Sequence, residues 1–392
     1  MDVRSILTEE ILDIALGIHV YTYPKIDEKT IDARIPRPHG FRVYEIVNEI
    51  DLESIDLDRP GEFDLDCRGN DNRYVYVVEK MNCDSHALCK LMQKILRCKS
   101  CEILGLKEAE AISRQAVILR GCSKLIKIMR LQYGKRYIKA ILWQCAPNLV
   151  LHNGNKFRIR IITKDLNTVR ERLRFVHDYG YIFLNFFGYQ RFGTRRPVTH
   201  FLGKLIIKNE LDSFMDTLCN SRIHRLIKKA PEKIVCKNWL NHGNALKLVK
   251  RIPKDYILLY INAYQAYLFN SMLSKLWLKL LEIYRFEDAI KIMISEYTYL
   301  PIVGTKYYVH QRLVKEVLDE ILSVEGINPS HFYVKTLAIE VKGDMRQALA
   351  QAQNVKTYFS CKDIELSFTL DRGCYATSFI RELLRTDPLN YT

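Results

Sequence analysis

Three short stretches carry side chains able to do chemistry. In Gly105 to Gln115 (GLKEAEAISRQ) a carboxylate, Glu108, directly follows a cation, Lys107. A neighbouring cation favours the ionised form of a carboxylate. Once ionised, it can serve as nucleophile or base at a sugar carbon. The same stretch also reads as a solvated surface turn. In Asn185 to Gly193 (NFFGYQRFG) three phenylalanines interleave with Asn185, Gln190 and Arg191. Ring faces stack on an unstacked base while amides read its edge; a glycine-bounded core turn is the alternative. In Asp371 to Arg385, Arg381 and Glu382 sit in a helical pattern, where an internal ion pair and a functional pair are equally open.

Other chemistries lack their residues. The chain has no G-x-x-x-x-G-K-[ST], no H-E-x-x-H and no G-x-S-x-G, and its ten histidines show no ligand-like spacing. No metal or nucleotide dependence is therefore expected. The eleven cysteines include one C-x-x-C, Cys98–Cys101, near Cys83 and Cys89. A structural zinc site needs two close pairs, and a chain this long with no export signal argues against a disulfide framework. Buried or half-exposed thiols are expected.

The elements that must position these residues follow from pattern. Arg73 to Lys80 (RYVYVVEK) reads as a strand, and Asp84 to Arg97 as a helix whose apolar residues recur at helical spacing. Lys156 to Lys164 (KFRIRIITK) alternates Phe157, Ile159 and Ile161 with Arg158 and Arg160, giving a strand with one basic face. Thr168-x-x-Glu171 suggests a capping box opening a helix that ends near Gly180. The stretch 256–284 reads as a deeply buried helix, 300–304 and 341–346 as loops, and 371–385 as a turn followed by a helix. Strands and helices mix without a regular βαβ rhythm, which favours an α+β fold.

At 392 residues, 48% of them hydrophobic, the chain can bury a core, and its length suggests two domains or one with a large insertion. The net charge of +15 points to a polyanion. It falls outside the first 70 residues, where Asp51 to Asp66 is acid-rich, and onto Arg114 to Lys139, Lys156 to Lys164 and Arg222 to Lys237. No run approaches the ~20 apolar residues needed to cross a bilayer. The N-terminus carries an acidic pair where a signal peptide would be basic. A soluble, cytoplasmic protein is expected.

In order, these stretches resemble the TruD family of tRNA pseudouridine synthases. The family pattern G-x-K-D-x-x-A-x-T-x-Q is matched by Gly105, Lys107, Ala111 and Gln115, with Ser113 for the Thr and Glu108 for the Asp. N-x-F-G-x-Q-R-F-G is matched in full from Asn185 to Gly193, and Arg196, Pro197, Thr199, His200 and Gly203 follow as RP-x-TH-x-x-G. Tyr264 to Asn270 is similar to the family's YQSYLFN, and Leu300 to Gly304 and Arg372 to Thr377 fall in family order. The resemblance covers about residues 34 to 385.

It implies a pseudouridine-synthase catalytic domain of α+β class, with a mixed, mainly antiparallel sheet and flanking helices. Residues 1–205 and 342–392 would form it, with 206–341 as the family's inserted α/β domain. It implies isomerisation of a flipped-out uridine in tRNA, at a U13 or U35 type of site, without cofactor or metal. The N1–C1′ bond breaks, the uracil turns, and C5 joins C1′. The family's essential Asp acts at C1′ or C2′; Glu108 stands there with one methylene more. Asn185, Phe187, Lys107, Gln190 and Arg191 would bind the substrate. Arg114, Arg120, Lys124, Lys127, Arg158, Arg160, Arg222, Arg225, Lys228 and Lys229 would grip the RNA. The family has a Lys upstream of a Pro-Glu-Asp-Phe turn; this chain aligns Ile35 there, with Arg34 or Arg37 as substitutes. A monomer is favoured. The alternative function is a catalytically weak or silent tRNA-binding homologue, an RNA-folding protein.

Overall fold

The alternation read in the sequence builds strands of one large sheet. The computed structural model describes residues 3–27, 29–59, 73–145, 150–193, 196–220, 222, 230–241 and 243–392. Eight strands form the main path: β1 (Phe41–Val47), β2 (Arg73–Met81), β3 (Ile112–Arg120), β4 (Ile128–Tyr133), β5 (Arg136–Cys145), β6 (His152–Thr163), β7 (Gln353–Phe359) and β8 (Asp363–Asp371). Their order is β7-β8-β6-β1-β3-β2-β5-β4. Only β1 and β3 pair in parallel on this path; all other neighbours are antiparallel. The mixed, mainly antiparallel sheet expected is thus present.

Register decides which side chains share a face. Phe157 lies opposite Val43, Val43 beside Ser113, Ser113 opposite Lys80, Lys80 opposite Ile138, and Tyr133 opposite Arg136. Because side chains alternate along a strand, one face carries Phe157, Val43, Ser113, Lys80, Arg136 and Tyr133 across six strands.

Helix α1 (Ser85–Leu96) covers part of that face, packing Leu88, Met92 and Leu96 against Tyr76, Val78, Val117 and Ile138. Its start is fixed by Asp84, whose carboxylate accepts from the Ala87 amide at 2.8 Å. The next helix, α2, spans Leu166–Asp178. It starts before Thr168, which is buried within it, so the expected capping box does not form. Helix α3 (Thr199–Ile207) packs on α4 (Lys254–Ile283), the long buried helix expected over 256–284. A Cβ at Gly203 would lie 2.1 Å from the Tyr260 carbonyl oxygen, so only glycine lets these helices meet. Helix α5 (Arg312–Glu325) lies against α4, and α6 (Ala376–Leu384) closes the C-terminal part.

Two expectations are corrected. Residues 300–304 and 341–346 are not both loops: Tyr299–Ile302 and Asp344–Gln347 pair with each other as an antiparallel ribbon. Composition missed it because each half finds its partner some forty residues away. The cysteines are also not mainly thiols. Disulfides join Cys89 to Cys101, Cys98 to Cys122 and Cys219 to Cys236, and Cys145 is disulfide-bonded too. Cys83, Cys361 and Cys374 are free. Folding brings cysteines from α1, the 100–103 strand and the 121–127 turn side by side, which spacing alone does not show. Among the described residues no helix is long and apolar enough to cross a membrane.

Candidate active site

The loop between the 100–103 strand and β3 lies over the shared face and carries Lys107 and Glu108. Its backbone is held from beneath. Lys80, fully buried, rises from β2 and donates to the carbonyls of Cys83 at 2.7 Å and Glu108 at 2.9 Å. Burial depresses its ammonium to about 8. Ser85, the first residue of α1, accepts from the Lys107 amide at 3.1 Å and donates to Gln115 Oε1 at 3.1 Å. Gly105 gives room: a Cβ there would meet Lys107 Nζ at 2.8 Å.

Lys107 and Glu108, adjacent in sequence, diverge. Lys107 Nζ pairs with Glu45 Oε1 at 2.6 Å, and its side chain is only 7% exposed. The other Glu45 oxygen accepts from the Ala116 amide at 2.8 Å. Lys107 therefore braces the loop through Glu45, and it also lines the cavity that Glu108 faces. It does not provide the charge beside Glu108 that the sequence suggested. That charge comes from Arg37, whose Nη1 contacts Glu108 Oε2. The guanidinium lies 3.8 Å above the Phe41 ring centroid and donates through Nη2 to the Tyr391 carbonyl at 3.0 Å. Arg34 sits exposed on a short strand against β6, so of the two arginines considered Arg37 is the one beside the carboxylate. Burial raises the Glu108 carboxyl above the usual range, and Arg37 opposes that shift.

Glu108 faces a cavity of about 120 Å³. Phe41, Val43 and Phe157 line it from the sheet, with Gln190 and Tyr375 on the opposite side. Cys374 also lines it, its thiol pushed up to about 11 by burial. The side chain of Glu108 keeps 18% exposure, enough to reach a guest there.

The aromatic motif is arranged differently. Asn185 is buried, donates to the Gln347 carbonyl at 3.1 Å and accepts from Arg346 Nη2 at 2.7 Å. The Arg346 guanidinium lies 4.0 Å from the Phe187 ring centroid, with that of Arg191 at 5.5 Å. Phe187 is buried behind Tyr375, its edge contacts being Phe269 and Tyr375. Among the residues of this stretch, Gln190 reaches the cavity. Arg346 was missed by sequence reasoning; a lone arginine in VKGDMRQ carries no local signal. Lys80 and Glu45 were also missed, since each takes its role from partners distant in the chain.

The motifs that appear in order along the chain meet in space. Gly188 packs so tightly on Tyr375 and Thr377 that a Cβ would lie 2.8 and 2.9 Å from them. His200 stacks on Tyr267 at 5.2 Å, and Gln265 donates to the Val303 carbonyl at 2.6 Å. Asn270 accepts from the Phe187 amide at 2.8 Å. Arg381 and Glu382 serve the interior: Arg381 pairs with Asp13 at 2.6 Å, and Glu382 accepts from the Thr22 amide at 3.0 Å.

The residues expected to grip RNA separate into groups. Arg114 is used internally, pairing with Glu79 at 2.7 Å and donating to the carbonyls of Leu52, Glu53 and Ile55. Arg120 pairs with Glu102, Arg158 with Glu53, and Arg160 with Asp363. Lys124, Lys127 and Arg222 are exposed. Arg225, Lys228 and Lys229 lie outside the described residues. Among the described residues no group of three or more His, Cys, Asp or Glu is placed to hold a metal ion.

Comparison with known proteins gives one consistent result. The family model for tRNA pseudouridine synthase D (TruD) matches residues 15–229 and 293–383. A chain from Saccharolobus solfataricus named "Probable tRNA pseudouridine synthase D" is 30% identical, covering 98% of this chain and all of its own. One of the same name from Sulfurisphaera tokodaii is 29% identical over 96% of this chain and all of its own. A Methanosarcina mazei crystal structure assigned to tRNA pseudouridine synthase D superposes with a TM-score of 0.65 at 18% identity, covering 97% of this chain and 99% of that one, and so supports the fold.

Proposed function

Because the chain belongs to the TruD family of tRNA pseudouridine synthases, isomerases of tRNA uridine, we propose that Glu108 is its catalytic carboxylate. The observation that carries this is the placement of Glu108: a carboxylate on a braced loop, paired with Arg37, facing a cavity walled by Phe41, Phe157 and Tyr375. The target is a uridine drawn out of a tRNA at a U13 or U35 type of site, and the cytoplasm is the expected place of action. In the cavity the uracil lies among rings, and Glu108 meets the ribose at C1′ or C2′. The N1–C1′ bond breaks, the base turns, C5 bonds to C1′, and the C5 proton leaves as N1 gains one. Gln190 is positioned to meet a base edge. Lys107 and Asn185 act as positioning residues, Lys107 through Glu45 and Asn185 through Arg346.

The exchange of Asp for Glu is matched by a shift in the cation. Ile35 removes the family Lys, and Arg37 supplies a longer donor from two residues further on. A misplacement of about 1 Å can lower a rate about a hundredfold, and the paired change offers a way to retain geometry. We further propose that residues 1–205 with 342–392 form the catalytic domain and 206–341 the insertion. The boundary at 205 falls inside α3, whose packing on α4 joins the two parts.

A second reading, a weak or silent tRNA-binding homologue, is favoured by the same ion pair, since Arg37 already engages the carboxylate. The test is to incubate the protein with unmodified tRNA transcripts and map pseudouridine. Conversion at a defined uridine, lost in Glu108→Ala, is the expected result. Tight tRNA binding with no conversion at high enzyme concentration would select the second reading.

A further inference from the structure

We propose that the tip of the β4–β5 hairpin is an RNA platform, on which Tyr133 stacks against a nucleotide of the substrate while Lys135 and Arg136 hold adjacent phosphates. This rests on the tRNA reading above and extends it to a surface away from the cavity. Tyr133 and Arg136 pair across a two-residue loop, Gly134–Lys135, and Gly134 has φ +56°, the requirement at the first central position of a tight hairpin turn. The turn fixes Tyr133 at the end of its strand, where it is 84% exposed.

A single exposed ring means little by itself; the surroundings give this one its meaning. Met129 and Leu131, at alternate positions before it, face the core beneath α1. Tyr133 continues that same face beyond the cover of α1, and Arg136 is its cross-strand neighbour there. It is also the face from which Lys80 rises to hold the Glu108 loop. Tyr133 stands two strands across and two residues along from Lys80, which places it about 12 Å away. The tip is tied to this support, since Asn82 donates to the Lys135 carbonyl at 2.8 Å, next to the Cys83 carbonyl held by Lys80.

Charge points to the same occupant. Lys135 and Arg136, next to the ring, are exposed, and neither is in an ion pair among the described residues. By contrast, Arg130 and Lys139, which point to the opposite face, both pair with Asp58. Unpaired cations beside an open ring suit single-stranded or unstacked nucleotides, where the ring takes the base and the cations take the backbone.

The experiment compares tRNA affinity of the full-length protein with that of Tyr133→Ala, Tyr133→Phe and Arg136→Ala across a salt series, with melting curves for each. Stacking of one base predicts a loss of about five- to a hundredfold for Tyr133→Ala, unchanged salt dependence, and recovery in Tyr133→Phe. Arg136→Ala is expected to reduce the salt slope by about 0.7 to 0.9. Affinity of Tyr133→Ala within twofold of the parent, with an unchanged melt, would overturn the platform. Its fate is separable from the catalytic reading. A parent protein that converts no uridine while Tyr133→Ala weakens binding leaves the platform standing alone. Conversion by the parent with undiminished binding by Tyr133→Ala removes the platform alone.

Discussion

The carboxylate end of the site and the aromatic end are built on opposite plans. Around Glu108 the supports brace the loop: Lys80 holds its carbonyls, Lys107 is tied to Glu45, and Ser85 fixes the Lys107 amide. Glu108 is left facing the cavity, beside a Lys107 whose charge is already paired. Around Phe187 the side chains face inward, with Arg346 across the ring and Asn185 bonded on both sides of its amide. The first region presents a group, whereas the second packs a wall. A motif match of equal quality therefore carries different meanings at the two ends.

The largest expected effect falls on the presenting end. Glu108→Ala should lower the single-turnover rate by about 10² to 10⁴ while leaving the melting temperature near that of the parent. Undiminished conversion would remove Glu108 from the chemistry. Lys80→Met comes next. It leaves carbonyls without a donor beneath the loop, and a displacement of about 1 Å predicts a rate loss of about a hundredfold. It also has a pH signature. The folded pKa of Lys80 is lowered to about 8 from 10.5, so between those values the unfolded chain binds more protons. Parent stability should therefore rise with pH across that window relative to Lys80→Met, measured by denaturant titration. A flat difference would show that the ammonium is not perturbed.

Arg37→Met follows. Glu108 titrates above the ordinary range because of burial, and Arg37 opposes the shift. The raised pKa means that the ionised, active form is gained only at higher pH. Removing Arg37 should move the acid limb of kcat/KM further upward. An unmoved limb would disconnect Arg37 from the carboxylate. The smallest effect belongs to the packed wall. Arg346→Met should raise KM severalfold with little change in kcat, because it loosens Asn185 and Phe187 without touching the reacting atoms. A kcat loss as large as that of Lys80→Met would erase the contrast between the two ends.

Much of this was legible in sequence, for local reasons. The 73–81 strand, α1 and α4 follow from the period of their apolar residues. The Glu108 position follows from its motif. The remaining features depend on chain-distant meetings. Lys80 ends an ordinary strand, and its depressed pKa arises only when loop 104–111 covers it. Glu45 becomes the partner of Lys107 across 62 residues. Arg346 reaches Phe187 through a ribbon whose two halves each look like loop. Arg158 and Arg160 looked like a free basic face, yet β8 and the segment after β1 bring carboxylates to them.

The Cys98–Cys122 bond closes a ring that contains the whole Glu108 loop and β3. Closing a loop of about 25 residues restricts the unfolded chain by about 3.5 kcal/mol in the chain-entropy view. The ring also alters what a broken backbone means. A protease cut anywhere between residues 98 and 122 would leave two fragments covalently tethered, with β3 still between its neighbours in the sheet. Under non-reducing conditions such nicked protein would migrate as one species. It would keep a route back to the assembled site that a chain cut without the bond would lose.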